Sequence, residues 1–169
     1  NEFDVEKIRI NFPPSWEVPE FRIDFWYGKK HNYCVIIPVI NEGDLIRNFV
    51  RRLKRNNIDK IADILIVDGG SNDGSLCEEF LSQNGVSGLL TKIGSGKLGS
   101  QLRTGYSFCL ANKYQGIVTI DGNNKDDPIS IPSFIELLQN GYDFIQASRY
   151  IKGGKAYNTP VTRNLAIRF

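Results

Sequence analysis

Residues 33–43, with the sequence Tyr-Cys-Val-Ile-Ile-Pro-Val-Ile-Asn-Glu-Gly, decide the fold of this chain. They open with a nearly unbroken apolar run, which is typical of a strand that is buried on both faces. The run ends at Asn41 and Glu42, and a stretch with the apolar spacing of an amphipathic helix follows. A buried strand that leads directly into a helix is the repeating unit of a parallel α/β sheet.

The same alternation continues along the chain. Short apolar runs predict five strands at 33–39, 63–67, 88–93, 116–120 and 143–147, and helices are predicted between them at 44–56, 75–83, 100–113 and 131–140. The first helix is expected to bury an apolar face (Leu45, Ile46, Phe49, Val50 and Leu53) and to turn a basic face outward (Arg47, Arg51, Arg52, Lys54 and Arg55). That basic face is either solvated or in contact with anionic lipid. The pattern predicts an α/β fold with a mostly parallel sheet flanked by helices.

Length and charge narrow the class of protein. A chain of 169 residues suits one domain, and a net charge of +2 is too small to indicate nucleic-acid binding. The three cysteines are far apart and lack a C-x-x-C spacing, so the sequence indicates neither a disulfide framework nor a zinc site. The longest apolar run, 34–40, is far shorter than the roughly 20 residues that span a bilayer. The lack of a disulfide framework favours a reducing, cytoplasmic compartment, where the protein could also be peripheral at a membrane.

The chain divides into two parts. Residues 1–32 are rich in aromatic residues and prolines and are interpreted as an extension that packs on the domain and covers a sheet edge. Residues 33–169 form the predicted α/β domain, whose C-terminal part is expected to be missing because the sequence stops within a helical pattern at 159–169. That helix would either lie at a membrane interface or pack on the domain.

Polar loops follow the predicted strands. In an open parallel sheet the ligand crevice lies beyond the carboxyl ends of the strands, so these loops are where a site is expected. The first loop holds Asn41 and Glu42 at a helix start, where Asn41 could also act only as a cap. The second runs from Asp68 to Gly74, and Asp68 could accept a hydrogen bond from a base or a ribose hydroxyl.

The loop after the fourth strand is dense in oxygen donors. Asp121 and Asn123 offer the hard oxygen ligands that Mg²⁺ or Mn²⁺ takes together with water and substrate phosphates. A polar loop that only caps the next helix is the alternative interpretation. Beyond the fifth predicted strand, Arg149 offers a guanidinium group suited to a phosphate oxygen. Lys97 is a further positive charge that could lie near phosphates.

A competing motif lies at 94–99. These residues satisfy G-x-G-x-x-G between a strand and a helix, which keeps a dinucleotide-binding oxidoreductase open as an alternative. The motif belongs, however, to the third strand-helix unit, whereas the dinucleotide fingerprint normally lies in the first. The phosphate-binding loop pattern of nucleotide triphosphatases also fails, because Leu98 stands where Ser or Thr would follow Lys97.

Together these loops resemble family 2 glycosyltransferases. The matching residues, in order, are Pro38, Asn41 and Glu42; Asp68, Gly70, Ser71, Asp73 and Gly74; Lys97 and Gly99; Asp121, Gly122 and Asn123; Ser148, Arg149 and Tyr150; and Lys152, Gly153 and Gly154. The last two groups look most like the dolichol-phosphate mannosyltransferase branch. Two residues depart from the family pattern: Gly69 replaces the second Asp of the Asp-Asp-Gly-Ser turn, and Asn123 replaces the second Asp of D-x-D.

The resemblance implies a Rossmann-like GT-A fold and a set of roles. The nucleotide would be bound by residues of the first two loops, namely Pro38, Asn41, Glu42, Asp68, Gly70, Ser71 and Asp73. The Mg²⁺ or Mn²⁺ ion would be bound by Asp121 and Asn123, and Asp121, Lys97 and Arg149 would serve catalysis. The implied reaction moves a hexose from a nucleoside-diphosphate sugar to a polyprenyl phosphate with inversion, at a membrane surface. A saccharide hydroxyl as acceptor and a non-catalytic nucleotide-sugar-binding module remain alternatives.

Overall fold

The structure is a computed structural model that describes residues 12–147. Within this range it contains five strands: β1 (Phe21–Trp26), β2 (Tyr33–Val39), β3 (Asp63–Asp68), β4 (Gly88–Lys92) and β5 (Gly116–Thr119). Four α-helices alternate with them: α1 (Asp44–Arg55), α2 (Glu78–Gln83), α3 (Leu98–Ala111) and α4 (Ile131–Gln139). Three short 3-10 helices span Pro14–Trp16, Ile58–Lys60 and Pro128–Ser130.

The strands form one sheet in the order β1-β4-β3-β2-β5. Strands β2 to β5 are mutually parallel, and β1 pairs antiparallel with β4 at one edge. Helices cover both faces of this sheet. On one face, α1, α2 and α4 bury side chains against Val35, Ile37 and Ile66, and on the other face α3 packs against Ile36 and Val67. The expected mostly parallel α/β sheet flanked by helices is confirmed.

The strand order reverses beside β2. The strands that follow β2 in sequence, β3 and β4, lie on one side of it, whereas β5 pairs with its other side. Such a reversal is a topological switch point, where the loops leaving adjacent strands part and open a crevice. The loops after β2, β3 and β5 therefore surround one point on the carboxyl edge.

Pro38 helps to open this crevice. It is buried in β2, and the ladder between β2 and β5 has already ended with the Ile120 N–H donating to the Ile36 carbonyl at 3.1 Å. Because hydrogen bonding alternates between the two sides of a parallel strand, Pro38 turns its missing N–H toward β5. On the other side the ladder continues, since the Gly69 N–H donates to the Val39 carbonyl at 2.8 Å.

Three expectations are corrected. Residues 143–147 form no strand in the described part of the chain, and Phe144 among them is 81% exposed. The fifth strand is instead β1, which the N-terminal segment adds to the outer edge of β4, in agreement with an edge-covering role. Leu45 is 45% exposed, because it lies outside the stripe of Ile46, Phe49, Val50 and Leu53 that α1 buries. The third helix begins at Leu98 and the second at Glu78, so their predicted starts were shifted by two and three residues.

Candidate functional site

The loops after β2 and β3 are joined by hydrogen bonds. The Asn41 N–H donates to the Ser71 hydroxyl at 2.9 Å, and the Asn72 N–H donates to the Asn41 side-chain oxygen at 2.9 Å. Ser71 in turn donates from its hydroxyl to the Asp68 carboxylate at 2.6 Å, and its N–H lies 2.9 Å from the same carboxylate. Asn41 adopts the left-handed conformation, with φ 50°. The structure thus brings three of the predicted nucleotide-binding residues into one network.

Asp73 makes a second link between the same two loops. Its Oδ2 accepts from the Gly43 N–H at 2.8 Å, just before α1, and its Oδ1 accepts from the Ser75 hydroxyl and N–H at 2.7 and 3.0 Å. These donors, the Ser75 side chain first, hold the pKa of Asp73 below its ordinary value. Both carboxylate oxygens are therefore engaged within the protein, which suits a role in fixing the loops.

Glycine is required at one position of the second loop. Gly70 has φ +103°, a conformation that residues with a Cβ rarely adopt, although the surrounding space is open. The turn therefore depends on backbone freedom at Gly70 and not on a lack of room. Glu42 is partly exposed, and its neighbours Asn41 and Gly43 are the residues that are hydrogen-bonded to the second loop.

The loop after β5 lies close against the centre of the sheet. A Cβ on Gly122 would come within 2.9 Å of Val39 and 3.1 Å of Ile46, so only glycine lets the loop approach β2 and α1 this closely. Asp121 and Asn123 flank Gly122. Asp121 is exposed, and its Oδ2 lies 3.5 Å from the Asn123 amide nitrogen.

An arginine on α1 binds the loop after β5 by several hydrogen bonds. Arg52 donates to the Asn124 side-chain oxygen at 2.8 Å, to the backbone carbonyls of Asn124 and Asp126 at 3.4 and 3.2 Å, and to the Asp127 carboxylate at 3.1 Å. On the same helix, Arg47 donates to the Ser75 carbonyl at 3.3 Å and lies over the Phe80 ring. Two residues expected on an outward basic face thus connect α1 to two of the site loops.

Sequence reasoning missed these contacts of Arg47 and Arg52. Their spacing on the helix fits an exposed face, and the partners of Arg52 lie 72 to 75 residues further along the chain. No local pattern marks such a pair, since the contact exists only because the sheet order places β5 beside β2.

The donor set of the loop fits a hard divalent cation with few protein ligands. Asp121 offers an exposed carboxylate, whereas the Asn123 side-chain oxygen accepts from the Lys125 N–H at 3.1 Å and its nitrogen faces Asp121. Within residues 12–147, no group of three or more His, Cys, Asp or Glu side chains could hold a metal ion. Mg²⁺ needs only one or two protein carboxylates when substrate phosphates and water complete its shell. In the described part of this loop, Asp121 thus offers an exposed carboxylate to a ligand.

The glycine loop at 94–99 follows β4, which β3 separates from β2 and the switch point. Its start is tied to the N-terminal segment, because the N–H groups of Ile93 and Gly94 both donate to the Glu20 carbonyl, at 2.8 and 2.9 Å. Lys97 is exposed directly before α3, on the same carboxyl edge as the other loops. This position does not favour a dinucleotide fingerprint, which belongs to the loop at the centre of the sheet.

Comparison with known proteins assigns this arrangement to a family. The model of the family described as "Glycosyl transferase family 2" matches residues 34–168. The chain belongs to that family. Its α/β sheet is accordingly of the Rossmann-like GT-A type, and the family resemblance drawn from the loop residues is confirmed.

Several characterised relatives carry names that point to polyprenyl phosphates. The chain is 29% identical over 133 residues to a dolichol-phosphate mannosyltransferase of Pyrococcus furiosus, covering 78% of this chain and 37% of that protein. It is 28% identical to a polyprenol monophosphomannose synthase of Mycolicibacterium smegmatis, over 76% of this chain and 49% of the relative. It is 26% identical to an undecaprenyl-phosphate mannosyltransferase of Micrococcus luteus, over 77% of this chain and 53% of the relative. The chain thus spans about half or less of the length of these relatives.

A cavity lies beside the site without belonging to it. This cavity, of about 1000 Å³, runs along the outer edge of β5 and is lined by Tyr106, Thr119, Phe134 and Tyr142 among others. Of the loop after β5, Ile120, Asp126 and Asp127 contribute to its lining. Arg149, predicted to face phosphate, and the predicted interfacial helix at 159–169 lie outside the described residues. Among residues 12–147, no helix has the length and apolar character needed to cross a membrane.

Proposed function

We propose that the chain is catalytic and moves a hexose from a nucleoside-diphosphate sugar to a polyprenyl phosphate, with inversion at the anomeric carbon. The observation that carries the proposal is the meeting of three polar loops at the switch point. Two of them are fastened to each other through Asn41, Ser71 and Asp73, and the third presents the exposed carboxylate of Asp121. A crevice of this kind suits an elongated ligand with a polar base at one end and a diphosphate at the other.

The first two loops are proposed to bind the nucleoside. Asp68 is buried at the end of β3 with 4% exposure, and the donors to its carboxylate come from Ser71 in its own turn. A carboxylate has about four lone-pair sites, so Asp68 can still accept from a base N–H or a ribose hydroxyl. Glu42, on the first loop, would contribute a second carboxylate to the same ligand. Asn41, Ser71 and Asp73 would then fix the shape of the binding surface.

The diphosphate is assigned to the other half of the crevice. Asp121, with Asn123 beside it, would hold Mg²⁺ or Mn²⁺ against the diphosphate, and the ion would stabilise the negative charge of the leaving group. Lys97 and Arg149 would add positive charge, and Asp121 and its loop would be kept in place by Arg52. Groups that stabilise charge as it develops are often the largest single contribution to catalysis.

The choice of acceptor rests on acid-base chemistry. His31 is the only histidine of the chain, and its ring nitrogen lies 3.2 Å from the Asp59 carbonyl at the amino end of the sheet, on the opposite edge from the crevice. A histidine base is thus absent from the described part of the site. A phosphate monoester is already anionic at neutral pH and needs no base, whereas a sugar hydroxyl does. In the proposed step the acceptor phosphate oxygen attacks the anomeric carbon while the nucleoside diphosphate leaves from the opposite face.

The names of the relatives support the same acceptor, since dolichol, polyprenol and undecaprenyl phosphates all occur in them. Such acceptors are anchored in a bilayer by their lipid chains. We therefore propose that the chain acts from the cytoplasmic side at a membrane surface, with the carboxyl edge of the sheet turned toward the lipid phosphate.

A ligand screen tests the proposal. Unfolding temperatures would be measured with UDP-, GDP- and dTDP-sugars, with and without Mn²⁺, together with NAD as a control. We expect one nucleotide class to raise the unfolding temperature in a Mn²⁺-dependent way, and the matching nucleotide sugar to release its nucleoside diphosphate when polyprenyl phosphate is added. Stabilisation by NAD alone would overturn the assignment. Release with a saccharide and not with polyprenyl phosphate would overturn the acceptor.

A further inference from the structure

One departure from the family pattern has a structural counterpart elsewhere in the chain. Position 69, which carries the second Asp in the family turn, is Gly69 here, and the end of another side chain fills the space beside it. A Cβ at Gly69 would lie 3.0 Å from Nε2, 3.1 Å from Cδ and 3.3 Å from Oε1 of Gln101. We propose that Gln101 is a positioning residue for the nucleotide-binding loops and that it occupies the space left by the missing carboxylate. This inference rests on the proposed function.

Gln101 joins the ends of the two central strands. Its Nε2 donates to the Val39 carbonyl at 2.8 Å and to the Val67 carbonyl at 3.0 Å, and the residue is only 4% exposed. Val39 is the last residue of β2, and Val67 directly precedes Asp68 at the end of β3. The two N–H groups of the Gln101 amide therefore bind the ends of β2 and β3, directly before the two proposed nucleotide-binding loops.

The position of α3 makes this reach possible. Gln101 lies in the first turn of α3, and one turn later a Cβ on Gly105 would come within 3.0 Å of Ile36 and 3.1 Å of Val67. The absence of a side chain at Gly105 lets the helix lie close to β2 and β3. As a result a side chain from the third strand-helix unit can bind the ends of the first two strands.

The pair also changes the charge of the site. A carboxylate at position 69 would stand next to Asp68, and like charges at short distance are unfavourable. With Gly69 and a neutral amide in its place, the second loop presents one negative charge fewer to the proposed anionic ligand. An Asp introduced at position 69 would be forced against Gln101 and would displace its amide from the two carbonyls.

The test is a double-mutant cycle measured on nucleoside-diphosphate binding. Four proteins would be compared by calorimetric titration with GDP and UDP in the presence of Mn²⁺: wild type, Gly69→Asp, Gln101→Ala and the double variant. We expect each single change to weaken the better-bound nucleotide about 10-fold, because in both variants the Val39 and Val67 carbonyls lose the Gln101 amide as a donor and the two strand ends lose the side chain that joins them. The double variant should bind within about 3-fold of either single variant, since the two changes remove the same contact.

A matched control separates positioning from a loss of folding. Gln101→Met keeps the length of the side chain and removes its donors, whereas Gln83→Met makes the same change at an exposed site on α2. Gln101→Met is expected to weaken the nucleotide about 10-fold while its unfolding remains cooperative, and Gln83→Met is expected to bind like wild type. Mn²⁺ dependence should be unchanged in both, because Asp121 lies on a different loop.

The possible failures are distinguishable. If the wild type binds no nucleoside diphosphate, the proposed function fails and the positioning role fails with it. If the wild type binds but Gln101→Met binds equally well, only the positioning role is overturned. Effects of Gly69→Asp and Gln101→Ala that multiply to about 100-fold in the double variant would show that the two positions act independently, against the inference.

Discussion

The two edges of the sheet use carboxylates in opposite ways. At the amino edge Asp63 is 1% exposed, and its Oδ2 accepts from the Lys30 and His31 N–H groups at 2.9 and 3.1 Å and from the Tyr114 hydroxyl at 2.6 Å. These donors come from segments far apart in the sequence. At the carboxyl edge Asp121 is exposed, and its carboxylate contacts the neighbouring Asn123 amide at 3.5 Å.

The contrast separates an acid that stabilises the fold from one that is free to bind a ligand, as proposed for Asp121. Asp63 ties the segment before β2 and the segment after α3 to the start of β3, and burial together with this hydrogen bond raises the pKa of Tyr114 well above its ordinary value. Asp121, by contrast, is exposed and has only a weak contact with Asn123, so it is expected to contribute little to the stability of the fold. A carboxylate held exposed on a rigid loop is available to a ligand, so losing it should affect activity more than stability.

Replacing Asp121 by Ala should give the largest effect. We expect the rate of sugar transfer to fall about 10³-fold, equivalent to about 4 kcal/mol of transition-state stabilisation, because the main ligand for the metal diphosphate is lost. The Mn²⁺-dependent rise in unfolding temperature should disappear, while the unfolding temperature without ligand should stay the same. Glu136→Ala, at an exposed position on α4, serves as the control. An unchanged Mn²⁺ response would show that Asp121 is not the ligand.

Replacing Asp63 by Ala should have the opposite profile. One buried and two partly buried donors would lose their shared carboxylate acceptor, and we expect the free energy of unfolding to fall by about 3 kcal/mol, measured by urea denaturation. Tyr114→Phe keeps the carboxylate and removes one donor, so it should lose about half as much. In whatever fraction remains folded, nucleotide affinity should match the wild type. If Asp63→Ala kept the stability of the wild type but bound nucleotide more weakly, Asp63 would not be the structural carboxylate described above.

Replacing Arg52 by Met tests whether the exposed loop is held from behind. The Mn²⁺ concentration for half-maximal effect should rise about 10-fold, as for other groups that orient metal ligands. Arg52→Lys should recover only part of this, because one ammonium group cannot reproduce the several contacts of the guanidinium. Arg55→Met, an exposed change on the same helix, is the matched control. Equal Mn²⁺ responses in the Arg52 and Arg55 variants would indicate that the loop holds its shape unaided.

The sequence predicts the centre of the fold better than its edges. The runs at 33–39 and 63–67 became the central strands β2 and β3, which are almost wholly buried between helices on both faces, so their apolar composition identifies them. The runs at 88–93 and 116–120 also became strands, although β5 is only partly buried at the edge of the described sheet. At the edges the signal is weaker: β1 was predicted only as a segment covering the sheet, and residues 143–147 were wrongly predicted as a strand. Whether a segment forms an edge strand depends on which strand lies at the edge to pair with it, and that is decided by the strand order of the whole sheet.

The same limit applies to the site. Asn41, Asp68 and Asp121 could be predicted as a group because parallel strands end at one edge. The contacts that fix them could not, since they join Asn41 to Ser71, Arg52 to Asn124 and Gln101 to Val39 over 30, 72 and 62 residues of sequence. Such pairs require the strand order and the helix positions, neither of which a local pattern contains.

The smallest expected effect concerns Asp73 and the link between the first two loops. Its folded-state pKa is lowered by the donors from Ser75 and Gly43, so the ionised form stabilises the fold. A lowered pKa contributes stability that is fully present above the unfolded-state value and is lost as the pH falls through the folded-state value. For this group the loss is confined to pH below about 4, and nothing should change between about pH 8 and 5.

Asp73→Asn removes the titrating group and keeps the shape of the side chain. We therefore expect the wild type to lose slightly more stability than Asp73→Asn when urea denaturation is repeated at about pH 5 and about pH 3. The difference should be small, because the side chain is exposed and solvent screens its interactions. At neutral pH the variant should bind nucleotide somewhat more weakly. The donors from Gly43 and Ser75 use both carboxylate oxygens of Asp73, whereas Asn has only one side-chain oxygen to accept from them. If the free energy of unfolding depends on pH in the same way in the wild type and in Asp73→Asn, the charge of Asp73 does not stabilise the link between the first two loops. The hydrogen bonds of Asn41 and Ser71 would then be the contacts that hold these loops together.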